Sequence, residues 1–245
     1  VCSSDLGIGP GDEVIIPAFT WFSDYTSVLL CGAGVVFADI DESLDLDPAD
    51  FERKITDRTK AVIPVHYQGG PADLDSIVRI ADRHGITVIE DCAQAFGGEY
   101  RGRKLGTIGR IGITSFQGNK MITAGEGGLV YTSDEELFAR AVRCHDNGSM
   151  RPHFAGQIGD ASLTADRAGF PGFQFRMSEL QGAMLLAQIR KLPDLLSARL
   201  AEGPVVLHRF SSSGEASRAV EEREIAGFIE IPEGPKRSDR YIYRS

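Results

Sequence analysis

Short runs of Val and Ile bounded by turn residues recur along this chain, and they limit its fold more than any other feature. They are Glu13–Ala18, Gly34–Ile40, Lys60–His66, Thr87–Asp91, Ile111–Phe116 and Gly128–Thr132. Strands that are apolar nearly throughout suit a sheet covered on both faces. Helical patterns lie between several of them. Thr20–Cys31 is one, and Asp47–Ile55, with Pro48 just inside its start, is another. Asp73–His84 carries Leu74, Ile77, Val78 and Ala81 at helical spacing, with Gly85 just past its end. Ser133-Asp134-Glu135-Glu136 reads as a capping box ahead of Leu137–Cys144. Arg176–Leu200 is the longest helical stretch, opened by Ser178 and bent at Pro193. This alternation predicts an α/β domain.

His145–Gly172 interrupts the pattern. It is polar, Gly-rich and aperiodic, and reads as a long loop of the kind that carries function. After Leu200 the periodicity weakens, and Ser211-Ser212-Ser213-Gly214 reads as a turn or linker. The expected organisation is a large domain over residues 1–200 and the beginning of a smaller one over 201–245. Both ends read as cut. The chain starts at Val1, and Val1–Leu6 can be spelled by the tail of a common sequencing adapter, so these six are expected to be foreign. Asp239–Ser245 reads as the start of a strand.

Composition narrows the class. With 26 basic and 35 acidic residues the formal charge is −9, which argues against nucleic acid as a partner. No apolar run approaches the length of a membrane span, so no membrane is expected. The cysteines at 2, 31, 92 and 144 have no metal-type spacing and read as reduced thiols of a cytoplasmic protein.

Several segments carry chemistry. Gly7-Ile8-Gly9-Pro10-Gly11 reads as a turn before a strand, because no strand precedes it and Asp12 and Glu13 would repel a phosphate. Within Ile86–Ala95 an apolar strand ends in Glu90-Asp91, where open α/β sheets bind ligands. A helix N-cap explains Asp91 equally well. Lys120 follows a strand and precedes a glycine-rich turn, with Ser115 before it and Thr123, Gly125, Gly127 and Gly128 after it. A hydroxyl and free backbone N–H groups suit a phosphate. A lysine beside them suits a Schiff base to an aldehyde. His66, His145 and His153 are read as structural and do not fall at metal-ligand spacing, so no metal is expected.

Glu90-Asp91-Cys92-Ala93-Gln94-Ala95, Ser115-Phe116-Gln117-Gly118-Asn119-Lys120 and Thr123-Ala124-Gly125-Glu126-Gly127-Gly128 resemble, in order and spacing, the DegT/DnrJ/StrS-type aminotransferases. Pro17-Ala18-Phe19-Thr20-Trp21, Pro64-Val65-His66 with Gly69–Asp73, and Arg176–Gln181 add to the resemblance, which spans about Gly7 to Leu200. It implies the type I fold of pyridoxal 5′-phosphate enzymes: a mostly parallel central sheet with helices on both faces. It implies an aminotransferase that moves an amino group from glutamate or glutamine to a nucleotide-linked keto sugar or a cyclitol ketone. It further implies a homodimer with shared active sites.

By the same resemblance, Lys120 would carry the cofactor and shuttle the proton, and Asp91 would pair with the pyridine nitrogen. Gln94 would bond the cofactor's phenolic oxygen, Ser115 its phosphate, and Trp21 would stack on its ring. Gln174 stands where the family usually has an Asn that reaches the neighbouring subunit's phosphate site. The family's Gly-Thr phosphate motif, which should precede Gly7, is absent. Lys120 argues against the relatives that replace this lysine with histidine and act as dehydratases. The motif details lean toward the branch acting on cyclitol ketones and aminohydroxybenzoate precursors. The rival readings are a related dehydrating or aromatising enzyme and an inactive truncated fragment.

Overall fold

The computed structural model describes residues 6–164, 172–201, 208–210 and 240–242. Strands β1 (Glu13–Pro17), β2 (Gly34–Ala38), β3 (Thr59–Val62) and β4 (Thr87–Asp91) alternate with helices α1 (Ser23–Leu30), α2 (Pro48–Lys54) and α3 (Leu74–His84). A small antiparallel pair follows, β5 (Glu99–Tyr100) with β6 (Arg103–Lys104), and then β7 (Ile111–Ser115) and β8 (Gly128–Tyr131). Helices α4 (Glu135–His145), α5 (Pro152–Ala155), α6 (Ala161–Thr164), α7 (Glu179–Ile189) and α8 (Leu192–Ala201) come next, then strands β9 (His208–Phe210) and β10 (Arg240–Ile242).

Six strands form one sheet in the order β2-β1-β3-β4-β7-β8. All its pairings are parallel except that of β7 with β8. The central Val- and Ile-rich strands β1, β3, β4 and β7 are largely buried on both sides, whereas the edge strands β2 and β8 are partly exposed. Ile15, Val62 and Val88 pack with Phe51 of α2 and Ile77, Ile80 and Ala81 of α3. Their neighbours Val14, Ile16, Ala61, Ile89 and Ile111 pack on the opposite face, with Val28 of α1.

Local signals set the helix ends. Asp47 caps α2 by accepting the Ala49 N–H, with Pro48 in the first turn. Gly85 ends α3 in the left-handed region at φ 65°, which glycine adopts without strain. Gly7–Gly11 is the expected turn, held by the Gly9 N–H on the Asp12 carboxylate at 3.0 Å.

Three local expectations are corrected. The cap of α4 is Asp134, whose Oδ1 accepts the Leu137 N–H at 3.1 Å, and not a box built on Ser133. A capping box does exist at α7, where Ser178 and Gln181 bond reciprocally. The expected single helix 176–200 is two, broken at Arg190–Lys191. Pro193 lies in the first turn of α8, where its missing N–H costs nothing. The stretch 145–172 is not a bare loop. It holds α5 and α6, and its start pairs with residues 173–175. The expected turn at 211–214 lies outside the described residues.

The chain divides into two compact units, Val1–Leu192 and Pro193–Ser245. In the second, β9 and β10 pair antiparallel. Among the described residues, no helix is long and apolar enough to cross a membrane.

Candidate functional site

The expected site residues gather where parallel strands end. β4 stops at Asp91 and β7 at Ser115, and the register sets Asp91 beside Ile113. Ligands of open α/β sheets bind at this carboxyl rim. The chain after β7 folds back on it. The Thr123 hydroxyl donates to the Phe116 carbonyl at 3.0 Å and accepts the Gly125 N–H at 2.9 Å. Lys120 lies inside this fold-back, its N–H on the Gln117 carbonyl at 2.9 Å. Ser115 Oγ accepts the Gln117 N–H at 3.3 Å and is half-buried.

Asp91 is only 6% exposed, and its Oδ1 accepts the Ala93 N–H at 2.7 Å. Turns, not a helix, follow it, so the N-cap reading of Asp91 gives way to a side-chain-stabilised turn. Gln94 sits in those turns. The Gln68 N–H donates to Gln94 Oε1 at 3.2 Å, which turns the carbonyl end of the amide toward Gln68 and leaves the NH2 end to donate elsewhere. The segment carrying Gln68 is fixed in turn by buried Asp45, which accepts the Tyr67 N–H at 3.0 Å. Burial pushes the Asp45 carboxyl up to about 7, against the Tyr67 N–H, which favours the ionised form.

A residue not foreseen from sequence completes the cluster. Asp24, in the first turn of α1, is 4% exposed and hydrogen-bonds Asp91. The Thr20 hydroxyl donates to its carboxylate. Burial, and then the Asp91 charge, push Asp24 up to about 8, while the Lys120 ammonium opposes the shift. Asp91 and Lys120 thus meet around Asp24. Asp24 and Val28, four residues apart on α1, share its buried face.

Trp21 and Gln174 face solvent instead. Trp21 lies beyond the end of β1, is 65% exposed and packs on Phe22. Gln174 is exposed and bridges Asp146, whose carboxylate pairs with Arg151 and Arg176. Those two arginines, Arg151 first, hold the Asp146 carboxyl below its usual range.

Behind the rim, Glu90 is fully buried and fully bonded. Its Oε2 accepts from His66 Nε2 at 3.2 Å and the Gly106 N–H at 2.7 Å, and its Oε1 from the Ile108 and Gly109 N–H groups. These bonds outweigh burial and hold its carboxyl below the usual range. His66 Nδ1 accepts the Ala72 N–H at 3.2 Å, so the ring is neutral with its proton on Nε2. His66, Glu90 and Cys92 lie close enough to hold a metal ion. The Glu90 oxygens and His66 Nδ1 already accept hydrogen bonds, and burial pushes the Cys92 thiol up to about 12, away from the thiolate a metal takes. His66 is a structural residue.

The parallel sheet, the helices on both faces and the antiparallel last strand make this the type I fold of pyridoxal-phosphate-dependent aminotransferases. The chain belongs to the DegT/DnrJ/EryC1/StrS aminotransferase family, whose sequence profile matches residues 2–224. It is 43% identical over 197 residues to the GDP-perosamine synthase of Caulobacter vibrioides, covering 79% of this chain and 50% of that protein. Among solved structures it is similar to S. venezuelae DesV in complex with a ketimine intermediate, at 31% identity and TM-score 0.76, covering 94% of this chain and 67% of that one. It is also similar to 3-amino-5-hydroxybenzoic acid synthase, at 33% identity and TM-score 0.70, covering 79% and 48%. The chain spans half the length of the curated relative it matches.

Proposed function

We propose that this chain carries the cofactor-binding half of a pyridoxal 5′-phosphate-dependent aminotransferase. The enzyme moves an amino group from glutamate or glutamine to the keto carbon of a nucleotide-linked sugar. The observation that carries this reading is the grouping of Asp91, Ser115 and Lys120 at the carboxyl rim of β4 and β7.

The donor set fits the cofactor. Asp91 offers a buried negative charge for a pyridinium nitrogen. Gln94 offers an amide N–H for the phenolic oxygen, with its other end already held by Gln68. Ser115 and the glycine-rich turn offer a hydroxyl and backbone N–H groups for a phosphate. When bound, the cofactor supplies an electron sink for the carbanion formed at the amino-bearing carbon. Lys120 Nζ would hold the cofactor's aldehyde and, once displaced by the amino donor, would carry the proton between the substrate carbon and the cofactor. Trp21, exposed beyond β1, covers the open face of the ring.

The similarity to a GDP-perosamine synthase at 43% identity favours a sugar over a cyclitol or an aminohydroxybenzoate precursor, to which the chain's similarity is lower. The active protein is a homodimer, with Gln174 directed to the neighbouring subunit's phosphate. Phe173, Phe175, Met177, Leu180 and Met184 are exposed around it, and no residue of α7 is buried. An apolar surface of this kind marks an interface.

The test is absorbance of the purified chain after adding pyridoxal 5′-phosphate and dialysing, with borohydride reduction and peptide mapping. A retained visible band, fixed by borohydride onto Lys120 and lost in Lys120→Ala, is the expected result. No retained band, or fixation on another lysine, would overturn the assignment. Transfer of labelled nitrogen from glutamate or glutamine to a sugar product separates transamination from dehydration or aromatisation.

A further inference from the structure

Asp24 has no place in the roles assigned above, yet it lies at their centre. It and Asp91 are both buried and hydrogen-bonded to each other. Two carboxylates cannot share a hydrogen bond unless one of them carries a proton, and their charges in a water-poor site repel strongly. Among the described residues, the charged groups that act most on Asp24 are Asp91 from β4 and Lys120 from the turn after β7, with the neutral Thr20 hydroxyl from the segment before α1. Asp91 accepts the Ala93 N–H through Oδ1 and leaves its other oxygen to accept from Asp24, whose burial favours the neutral form over the opposing Thr20 hydroxyl, so the proton is placed on Asp24.

We propose that Asp24 is a positioning residue that keeps one proton between itself and Asp91, so that the pair presents a single, oriented negative charge to the pyridine nitrogen of pyridoxal 5′-phosphate. This rests on the cofactor reading above. The Asp24 O–H donates to Asp91 and fixes the plane of that carboxylate, as the Ala93 N–H does from the other side. Without the donor, Asp91 is free to turn toward the Lys120 ammonium and away from the cofactor. With a second ionised acid in its place, Lys120 is held as a cation by two charges. A single shared proton avoids both outcomes. Asp24 touches neither cofactor nor substrate in this scheme and acts only through Asp91.

Two variants separate a proton-sharing role from a packing role. Asp24→Asn keeps the shape and one N–H donor but cannot titrate. Asp24→Leu keeps the bulk and removes the donor. The first readout needs no cofactor: carbon NMR of the chain labelled at the aspartate carboxyl carbons, followed with pH. The expected result is a carboxyl titrating above pH 7 in the parent chain and absent in Asp24→Asn. No aspartate other than Asp45 titrating above pH 6, or no titration lost in Asp24→Asn, would overturn the proposal. The second readout is the dissociation constant for pyridoxal 5′-phosphate from fluorescence titration. Asp24→Asn should bind within threefold of the parent and Asp24→Leu at least tenfold more weakly. Equal binding by the two variants would reduce Asp24 to packing and overturn the positioning role. If Asp24→Leu does not fold, Asp24→Ser, with a shorter hydroxyl donor, takes its place and should fall between the parent and a donor-less site. If the parent chain binds no cofactor, the cofactor reading fails while the carboxyl titration still decides whether the proton is shared.

Discussion

Glu90 and Asp91 are neighbours on β4, and their carboxylates point to opposite faces of the sheet. Glu90 faces His66 and three backbone N–H groups. Asp91 faces Asp24 of α1 and the rim. The strand's period of two therefore assigns adjacent acids to different tasks. Glu90→Gln puts an amide NH2 opposite N–H donors and should cost on the order of 3 kcal/mol in urea unfolding. Asp91→Asn removes a charge from beside a buried acid, so it should unfold no earlier than the parent by more than about 1 kcal/mol. Its turnover should fall by roughly 100-fold or more. A large stability loss in Asp91→Asn with turnover intact would reverse the assignments.

The pH dependence of folding has a definite sign. Burial raises Asp24 to about 8 and Asp45 to about 7, above the ordinary value of 3.8. Above that ordinary value the unfolded chain has released protons that the folded chain still holds. Stability from these two sites is complete below it and is lost as pH rises through about 7 and about 8. Glu90 works in the other direction, since its lowered value gives stability that is lost as pH falls below the ordinary 4.5. Urea midpoints should therefore decline from about pH 5 to pH 8.5, and Asp24→Asn should flatten the upper part of that decline. The variant should gain on the order of 2 kcal/mol over the parent at pH 8.5 and less at pH 5. An unchanged slope would show that Asp24 carries no raised carboxyl.

Glycines of similar backbone differ in what they protect. Gly106 has φ 84°, its N–H serves Glu90, and a Cβ there would run into the Tyr131 ring. Gly125 has φ 79° and open space around its missing Cβ. Gly106→Ala should cost about 3 kcal/mol or more, combining backbone strain with overlap. Gly125→Ala should cost only about 1 kcal/mol, from strain alone. Matched urea unfolding of the two variants checks the difference, and equal losses would mean that packing around Gly106 yields easily.

The sheet was legible because a strand buried on both faces leaves an unmistakable apolar run. Thr87–Asp91 was read to the residue, and the other strands to within a few. Helix ends were legible where the capping chemistry is local, as at Asp73 and Gly85, and misread at Ser133, where two adjacent side chains can cap and only Asp134 does. Asp91, Gln94, Ser115 and Lys120 were named through the family resemblance; the fold brings their segments to one rim, and their roles are proposals. Asp24 and Asp45 were not legible, because their significance lies in what the fold sets against them. Asp24 meets Asp91 across 67 positions of sequence, and no local pattern encodes that contact. His145–Gly172 read as loop because, in its described part, helices of four residues leave no periodic trace.

Helix α7 bears on how the chain assembles. It opens with a full capping box and is further anchored by Gln181 Nε2 on the Glu126 carbonyl at 3.1 Å, yet it buries none of its residues. Leu180 is 82% exposed, and Met184, Leu186 and Ile189 are exposed along the same helix. A well-capped helix with an apolar exposed surface needs a cover, and in the proposed homodimer a second copy of the chain would supply one and bring Gln174 to its partner's rim. Burying Leu180 and Met184 would each contribute about 1.5–3 kcal/mol. Replacing both with Glu should therefore weaken self-association at least about 100-fold. Light scattering at micromolar concentration should show a dimer for the parent and a monomer for Leu180→Glu/Met184→Glu. Helix content by circular dichroism should be unchanged, because neither side chain supports the fold of its own protomer. A dimer that survives both substitutions would move the interface off α7 and leave Gln174 without its proposed partner.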